Sequence, residues 1–538
     1  MNFRLLVLNI VYFATLLLHL KAENDCDSSQ PIEVKINQGR IQGMKMKTQK
    51  QKPFCAFLGI PYAEPPTGEL RFKPPLKAKP WNGTYFAIYD GKSCMGGNYP
   101  FLQITGQEDC LYLNVYTPKL MAPNGSLLNV LVWIHPGTFY SGSDSSTVYE
   151  PHTWMNMDIV LITMNYRLGA FGFLSTGDDE APGNYGLKDQ VMALHWIKDN
   201  VAAFGGDPNK VTLFGHSAGA ASTHYHMLSP LSKGLFQRAI SMEGTALNPF
   251  AWDHNPKSQA VRQARYLGCP IESSSAIVSC LKEQPAEKIS ETLNKLFLFW
   301  LIPSPGFTPV VEKKTERNPN PFLTEDPYDL MLNGSFSKVP WLMGGNDNSM
   351  AFFIAPLMNV PVLHDQVYEH LKDLLPGFML IEKSAPQNQF QVIIDKILKF
   401  YDVDTNGMLL EKEINPTPPN TSNSNSLLEN FTWEPVGKLN NDNVQVKYLN
   451  IGQVVMSSEP SLFLNEYLGP VKLNMAKNIK KERMEFWDAL PLYENARCAG
   501  CVMESSGNHL EVNIFIILMC TCLRNSINRL FMYVYLII

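Results

Sequence analysis

The sequence predicts an α/β fold: a mostly parallel, twisted central sheet flanked by helices. Three observations predict it. Asn129-Val-Leu-Val-Trp-Ile134 and Ile159-Val-Leu-Ile-Thr-Met164 are short continuous apolar runs, the pattern of strands covered on both faces. Between Leu187 and Ala203 the apolar residues Leu187, Val191, Leu194, Ile197 and Val201 recur at helical spacing. After Gly205-Gly206 the chain returns to a β-branched and aromatic run, Val211-Thr-Leu-Phe214, and turns at once through Gly215-His-Ser-Ala-Gly219. Strand, helix, strand and helix in that order indicate a doubly wound sheet.

The 538 residues are 45% hydrophobic and 18% charged, which is enough apolar material for one large α/β domain or two smaller ones. A net charge of −5 without a basic run speaks against nucleic acid as a partner. Met1 to Ala22 carries Arg4, the apolar run Leu5 to Leu20 and Lys21-Ala22, the layout of a secretory signal peptide cleaved near Ala22. A membrane anchor is the alternative reading, but the run is shorter than the roughly 20 residues a span needs. The mature chain is expected to be extracellular. Its ten cysteines then point to disulfides rather than metal sites. N-x-S/T sequons at Asn82, Asn124, Asn333, Asn420 and Asn430 fit a secreted glycoprotein.

Taken in order, Ile32 to Gly43 alternates around Gln38-Gly39 and reads as a hairpin. Ala56 to Pro66 is punctuated by prolines and must be extended or turning; propensities alone make it a surface loop. Cys94 and Cys110 bracket residues 95–109, and pairing them would close a short loop worth about 3 kcal/mol. Cys269 and Cys280 form a second close pair. Arg238 to Met242 and Val339 to Met343 are candidate strands, and Phe390 to Tyr401 is an amphipathic helix. Residues 411–430, rich in Asn, Pro, Ser and Thr, read as a flexible loop or linker. A last globular piece runs from Trp433 to Tyr493, with a strand at Tyr448 to Ile451 and a helix at Glu482 to Leu490. The main domain is thus expected over 23–493, followed by an atypical tail at 494–538. In that tail Val512 to Cys522 and Leu530 to Ile538 are too short to cross a bilayer. A lipid-anchor signal after Ser505-Ser-Gly507 is disfavoured by Arg524 and Arg529 within its hydrophobic part. Cys498 and Cys501 lack the second ligand pair that a zinc site needs.

Gly215-His-Ser217-Ala-Gly219 fits G-x-S-x-G, in which a serine sits on a strained strand-to-helix corner. The following helix aims its N-terminal N–H groups at the site and stabilises negative charge developing there. Five residues with three fixed also describe an ordinary turn, so the context has to decide.

That context resembles the type-B carboxylesterase/cholinesterase family. The resemblance rests on Ala56-Phe-Leu-Gly-Ile-Pro-Tyr-Ala-Glu-Pro-Pro66, Glu108-Asp-Cys-Leu-Tyr-Leu-Asn-Val-Tyr-Thr-Pro118, Ala181-Pro-Gly-Asn-Tyr-Gly-Leu-Lys-Asp-Gln190, Phe204-Gly-Gly-Asp-Pro208 and Phe214-Gly-His-Ser-Ala-Gly-Ala220. Through His224-Tyr-His-Met-Leu-Ser-Pro-Leu-Ser232 it looks most like the insect-type esterases, and it covers residues 30–400 and, more loosely, 433–493. The resemblance implies an α/β-hydrolase fold, no cofactor, and cleavage of a small apolar carboxylic ester through an acyl-enzyme on Ser217. The backbone N–H groups of Ala218, Gly137 and Thr138 would hold the oxyanion. Where the family carries H-G-G-G or H-G-G-A, this chain reads His135-Pro-Gly-Thr138, and a β-branched residue strains a loop built for Gly or Ala. Residues 95–109 contain no tryptophan, which argues against choline esters.

The rest of the triad departs from the family. Aligning Trp341 to Phe353 on the family's acid segment puts Ser349 where it has Glu and Met350 where it has Gly; Asp347 is two residues off. Beyond that point the histidines are His364, His370 and His509. The first two come too early and read as ordinary helical residues, and the third belongs to the tail. The low-complexity segment 411–430 stands where the family carries a strand and its histidine loop, so the C-terminal part reads as shortened internally. Glu243, after the strand Arg238 to Met242, is an alternative acid and more simply a structural residue. Three function classes follow: a secreted carboxylesterase whose sequence is shortened internally, with weak or absent activity, a catalytically inactive homologue that binds a small apolar ligand, and an adhesion-type partner-binding protein.

Overall fold

The chain's strands are β1 (Ile32–Ile36), β2 (Gly39–Lys47), β3 (Pro53–Pro61), β4 (Thr84–Phe86), β5 (Gly96–Asn98), β6 (Gln103–Thr105), β7 (Tyr112–Thr117), β8 (Leu128–Ile134), β9 (Ile159–Met164), β10 (Gly206–His216), β11 (Arg238–Met242) and β12 (Trp341–Gly344). In this computed structural model the described residues are Cys26, 31–98, 103–120, 125–292, 306–345 and 387–400, with the backbone of 448–451 and 473–476. They group into two compact units, the first made of residues 1–241, 251–296 and 305–341 and the second of the remainder. A ten-stranded sheet runs in the order β1-β2-β3-β7-β9-β8-β10-β11-β12, with β4 paired to β2. The helices are α1 (Gly169–Phe173), α2 (Tyr185–Asn200), α3 (Ala218–Leu228), α4 (Pro256–Tyr266), α5 (Ser274–Glu283), α6 (Ala286–Glu291), α7 (Pro327–Leu332) and α8 (Phe390–Phe400).

The sheet is mixed, and the expectation of a mostly parallel one holds only around the serine turn. There β9, β8 and β10 run parallel. From β1 through β2, β3 and β7 to β9 every neighbouring pair is antiparallel. For the first two of these pairs connection length is the reason. Two residues link β1 to β2 and five link β2 to β3, whereas a parallel neighbour needs a crossover of about a dozen residues or more. The helix α2 supplies such a crossover ahead of β10.

Residues 56–66 also differ from the surface loop that their prolines suggested. β3 is an inner strand, with every residue from Phe54 to Ile60 buried. Phe54, Ala56 and Leu58 join Tyr116, Trp133, Leu161 and Phe214 in one core cluster. Its prolines stand at the two ends, Pro53 and Pro61, where a missing N–H does least harm to a ladder. On β8, Val130, Val132 and Ile134 are at most 1% exposed, and each such side chain contributes roughly 1.5–3 kcal/mol.

Cys94–Cys110 and Cys269–Cys280 are disulfide-bonded, and so are Cys26 and Cys55, a pair the sequence reading did not single out. Cys26–Cys55 ties the start of the described chain to β3. The expected strand near 339–343 begins at Trp341, after Pro340, and the strand at Tyr448–Ile451 (β13) pairs antiparallel with Leu473–Ala476 (β14). The leader 1–22, the loop 411–430, the helix at 482–490 and the tail with Cys498 and Cys501 lie outside the described residues.

Two buried ion pairs lock α2. Arg167, just after β9, makes a bidentate pair with Asp189 through Nε (2.8 Å) and Nη2 (2.7 Å), and its Nη1 donates to the Lys73 carbonyl at 2.8 Å. Burial raises the Asp189 carboxyl above its usual range and Arg167 opposes the rise. Lys188 pairs with Glu312, whose other oxygen accepts from Asn184 Nδ2 at 2.8 Å. Asp189→Asn should therefore strand a buried guanidinium and cost about 3–5 kcal/mol. Replacing both partners, Arg167→Met with Asp189→Leu, should recover most of it in denaturant titration. A double variant as unstable as Asp189→Asn alone would rule this account out.

Candidate active site

Parallel pairing of β8 with β10 sets the site. Gly215 lies opposite Ile134, so the two strands end together, one leading to His135-Pro-Gly-Thr138 and the other to His216-Ser217. Ser217 turns the corner at φ 53° and ψ −117°, and α3 starts at the next residue. The flanking glycines are steric necessities. A Cβ at Gly215 would strike the backbone of Gly219, and one at Gly219 would strike the Ile134 carbonyl while lying 2.9 Å from that of His135. All eleven residues of α3 are buried, so its first turn, where Ala218 carries an N–H without a helical acceptor, is fixed from behind.

The neighbouring loop is built for exposing N–H groups. Gly137 (φ 125°), Thr138 (φ 51°) and Phe139 (φ 62°) all have positive φ. A Cβ at Gly137 would collide with the Ser141 carbonyl. Thr138 bears the cost, since left-handed backbone in a β-branched residue is worth of order 1–3 kcal/mol of strain. The Gly137 carbonyl accepts from the N–H groups of Tyr140 and Ser141, both at 3.0 Å. Buried Phe139 anchors the loop, its carbonyl accepting from Gly169 N–H at 2.7 Å. Among the described residues no backbone hydrogen bond occupies the N–H of Gly137 or of Thr138.

His135 lies beneath this loop. Its ring stacks on Tyr166 at 4.4 Å, and Nδ1 donates to the Pro136 carbonyl at 2.8 Å. That bond fixes the Nδ1–H tautomer, and burial lowers the ring's pKa to about 4. Two further rings on α3, His224 and His226, are fully buried and lowered to about 3 by the same cause.

Ser217, Ala218, Gly137 and Thr138 thus lie at the ends of two adjoining strands. Ser349, Asp347, Met350, His364, His370 and His509 lie outside the described residues. Glu243 is half-buried at the end of β11 with φ 59°, and its N–H donates to the Gly344 carbonyl at 2.8 Å. Asn82 and Asn333 are exposed, while Asn124, Asn420 and Asn430 lie outside the described residues. Among the described residues no group of three or more His, Cys, Asp or Glu could hold a metal ion, and no helix is long and apolar enough to cross a membrane. Missed from the sequence was the polar layer behind α3, formed by Ser222, His226, Gln190 and Ser232 (all buried). Ser222 and His226, four residues apart and so on one face of the helix, were the available signal.

A half-buried serine at a positive-φ strand-to-helix turn, beside a loop with unoccupied N–H groups, has the geometry of the serine turn of an α/β-hydrolase scaffold. Residues 30–426 match the Carboxylesterase family, and the chain belongs to it. Juvenile hormone esterase of Tribolium castaneum is 42% identical over 356 residues, 65% of this chain and 60% of that protein. Venom carboxylesterase-6 of Apis mellifera is 37% identical over 368 residues, 68% of this chain and 65% of the relative. The chain therefore spans under two thirds of the length of either. The crystal structure of juvenile hormone esterase from Manduca sexta, with OTFP covalently attached, superposes with a TM-score of 0.63 at 31% identity, covering 70% of this chain and 71% of that one.

The three buried rings predict acid lability. Each takes a proton near pH 6.5 when unfolded but stays neutral in the folded chain down to about 4 (His135) or about 3 (His224, His226). Depressed folded-state values mean the stability they contribute is complete above pH 6.5 and is lost as pH falls toward 4. Each ring adds a slope of about 1.4 kcal/mol per pH unit in that window. Urea titrations at pH 7 and 4.5 should show the loss, and His224→Gln should lessen it by roughly one ring's share. An equal loss in the variant would show that His224 does not titrate this way. Separately, Gly219→Ala should abolish the folded turn, read as loss of soluble native protein; a well-folded Gly219→Ala chain would contradict the steric account.

Proposed function

We propose that the chain is a secreted serine carboxylester hydrolase acting on small apolar esters, with Ser217 as nucleophile, and that its turnover is weak. The observation that carries the reading is Ser217 held at φ 53° beside the positive-φ loop of Gly137 and Thr138. Ser217 Oγ attacks the ester carbonyl carbon, and the carbonyl oxygen takes up negative charge facing the N–H groups of Ala218, Gly137 and Thr138. The bond to the alcohol oxygen then breaks, that oxygen leaves with the serine proton, and water later cleaves the acyl-serine. The proton needs a carrier. Ser349 stands where the family has Glu, and no histidine stands where the family places its own, so proton transfer is the impaired step. Strain at Thr138 weakens the oxyanion hole further.

Secretion is supported by the leader at 1–22, by the three disulfides and by the exposed sequons Asn82 and Asn333. The covalent OTFP on the Manduca sexta relative is in keeping with a site that forms covalent adducts. Ser349 also favours a second reading, a homologue that keeps the scaffold to bind a ligand or a protein partner without turnover.

Purified chain and its Ser217→Ala variant should be compared on a nitrophenyl ester. The expected result is slow, Ser217-dependent release below the ~1 s⁻¹ at the low end of ordinary enzymes. What remains without a base is roughly 10³–10⁴-fold over water. Faster turnover that vanishes in the variant would show that a base is present; no difference between the two proteins would favour the binding reading.

A further inference from the structure

Behind the serine turn, a chain of hydrogen bonds runs in one direction across three elements of the first unit. Ser222 Oγ donates to the Ala218 carbonyl at 2.9 Å, using its only proton. It must therefore accept the bond from Gln190 Nε2 at 3.3 Å, which turns the Gln190 oxygen toward His226. His226 Nε2 lies 2.8 Å from that oxygen and so carries the ring proton. Its bare Nδ1 accepts from Ser232 Oγ at 2.7 Å. Each donor from Ser232 through His226, Gln190 and Ser222 thus points toward the first turn of α3. Ser222, His226, Gln190 and Ser232 are all 0% exposed, and the rings of Phe322 and His226 meet in a T-shaped contact with centroids 5.5 Å apart.

Two more hydroxyls reach the same turn. Thr223 Oγ1 donates to the Gly219 carbonyl at 3.0 Å, and Ser241 Oγ, itself accepting from Trp341 Nε1, donates to that of Ala220 at 3.1 Å. Three successive carbonyls of one helical turn thus each receive a hydroxyl donor. Ordinary helix packing does not require this, because a helix interior already satisfies its carbonyls. Hydroxyls on helix carbonyls compete with the helical bonds and tend to loosen or bend a helix. A head-to-tail donor chain in a dry interior does the opposite, since each bond polarises the next.

We propose that His226 and Gln190 are positioning residues for Ser217. Acting through Ser222, they clamp and polarise the first turn of α3, so that Ser217 keeps its left-handed conformation and Ala218 presents its N–H to the oxyanion. The relay rests on the reading of Ser217 as nucleophile for its purpose, though not for its existence. His226 suits the task because a buried neutral imidazole both donates and accepts along one line and does not titrate at working pH.

The test uses the full chain and four variants. Ser222→Ala removes the last bond alone. Gln190→Glu keeps the shape, but its carboxylate accepts from both His226 and Ser222 and so draws the Ser222 proton away from the Ala218 carbonyl. His226→Leu empties the relay, whereas His226→Gln retains a donor and an acceptor and serves as the rescue. Hydrogen exchange of residues 217–223 should speed up at least tenfold in the first three variants and stay within threefold of the parent in His226→Gln, with exchange in α2 and β8 unchanged. In single-turnover acylation by a nitrophenyl ester, the rate should fall about tenfold while KM stays within twofold. Exchange that is unchanged in 217–223, or raised equally throughout the protein, would overturn the proposal, as would a His226→Gln chain that behaves like His226→Leu. Absence of any Ser217-dependent acylation in the parent would instead defeat the esterase reading, and exchange alone would then decide the relay.

Discussion

The constraint on which the rest depends is at Gly219, where any Cβ would strike the carbonyl of Ile134. It brings the first turn of α3 down onto the end of β8 and leaves no room for a side chain. From that contact follow the left-handed backbone of Ser217, the burial of the whole of α3, and the adjacency of the serine to the loop at 137–139. The strain has to be offset by surroundings that allow no alternative. The buried pairs Arg167–Asp189 and Lys188–Glu312, the stacked His135 and Tyr166, and the polar layer behind α3 are those surroundings.

These surroundings are local to the turn. The serine turn is stabilised by packing against β8 and by hydrogen bonds of α3 with Gln190, Ser232 and Ser241 within the same compact unit. The geometry of the turn is therefore separable from whatever groups would carry a proton there.

The reading from sequence succeeded where one local pattern had one physical cause. β8 and β9 were legible as unbroken apolar runs, α2 as a 3.6-residue stripe, and the serine turn as glycines at fixed offsets. It failed at β3, whose prolines mark the two ends of a strand but look the same as those of a loop. The direction of β1, β2 and β3 was recoverable from their short connections, which were outweighed by the expectation of a parallel sheet. Cys26–Cys55 could not be paired because proximity across 29 positions depends on which strands are neighbours. The relay at His226 is a tertiary property of the same kind: sequence shows a polar residue on a buried helix, but not that Gln190 and Ser232 converge on it.

The division of the sheet into an antiparallel half and a parallel half has a consequence for how the chain matures. β1, β2 and β3 pair through connections of two and five residues, so their contacts are local and close early. β10, by contrast, pairs with β8 only after the segment carrying α2 has been laid across the sheet, and Ser217 stands at its end. A chain emerging N-terminus first can thus assemble a meander around β3 while the half that bears Ser217 is still being made. The serine corner is then among the later parts to take shape, docking onto a template of strands already in register.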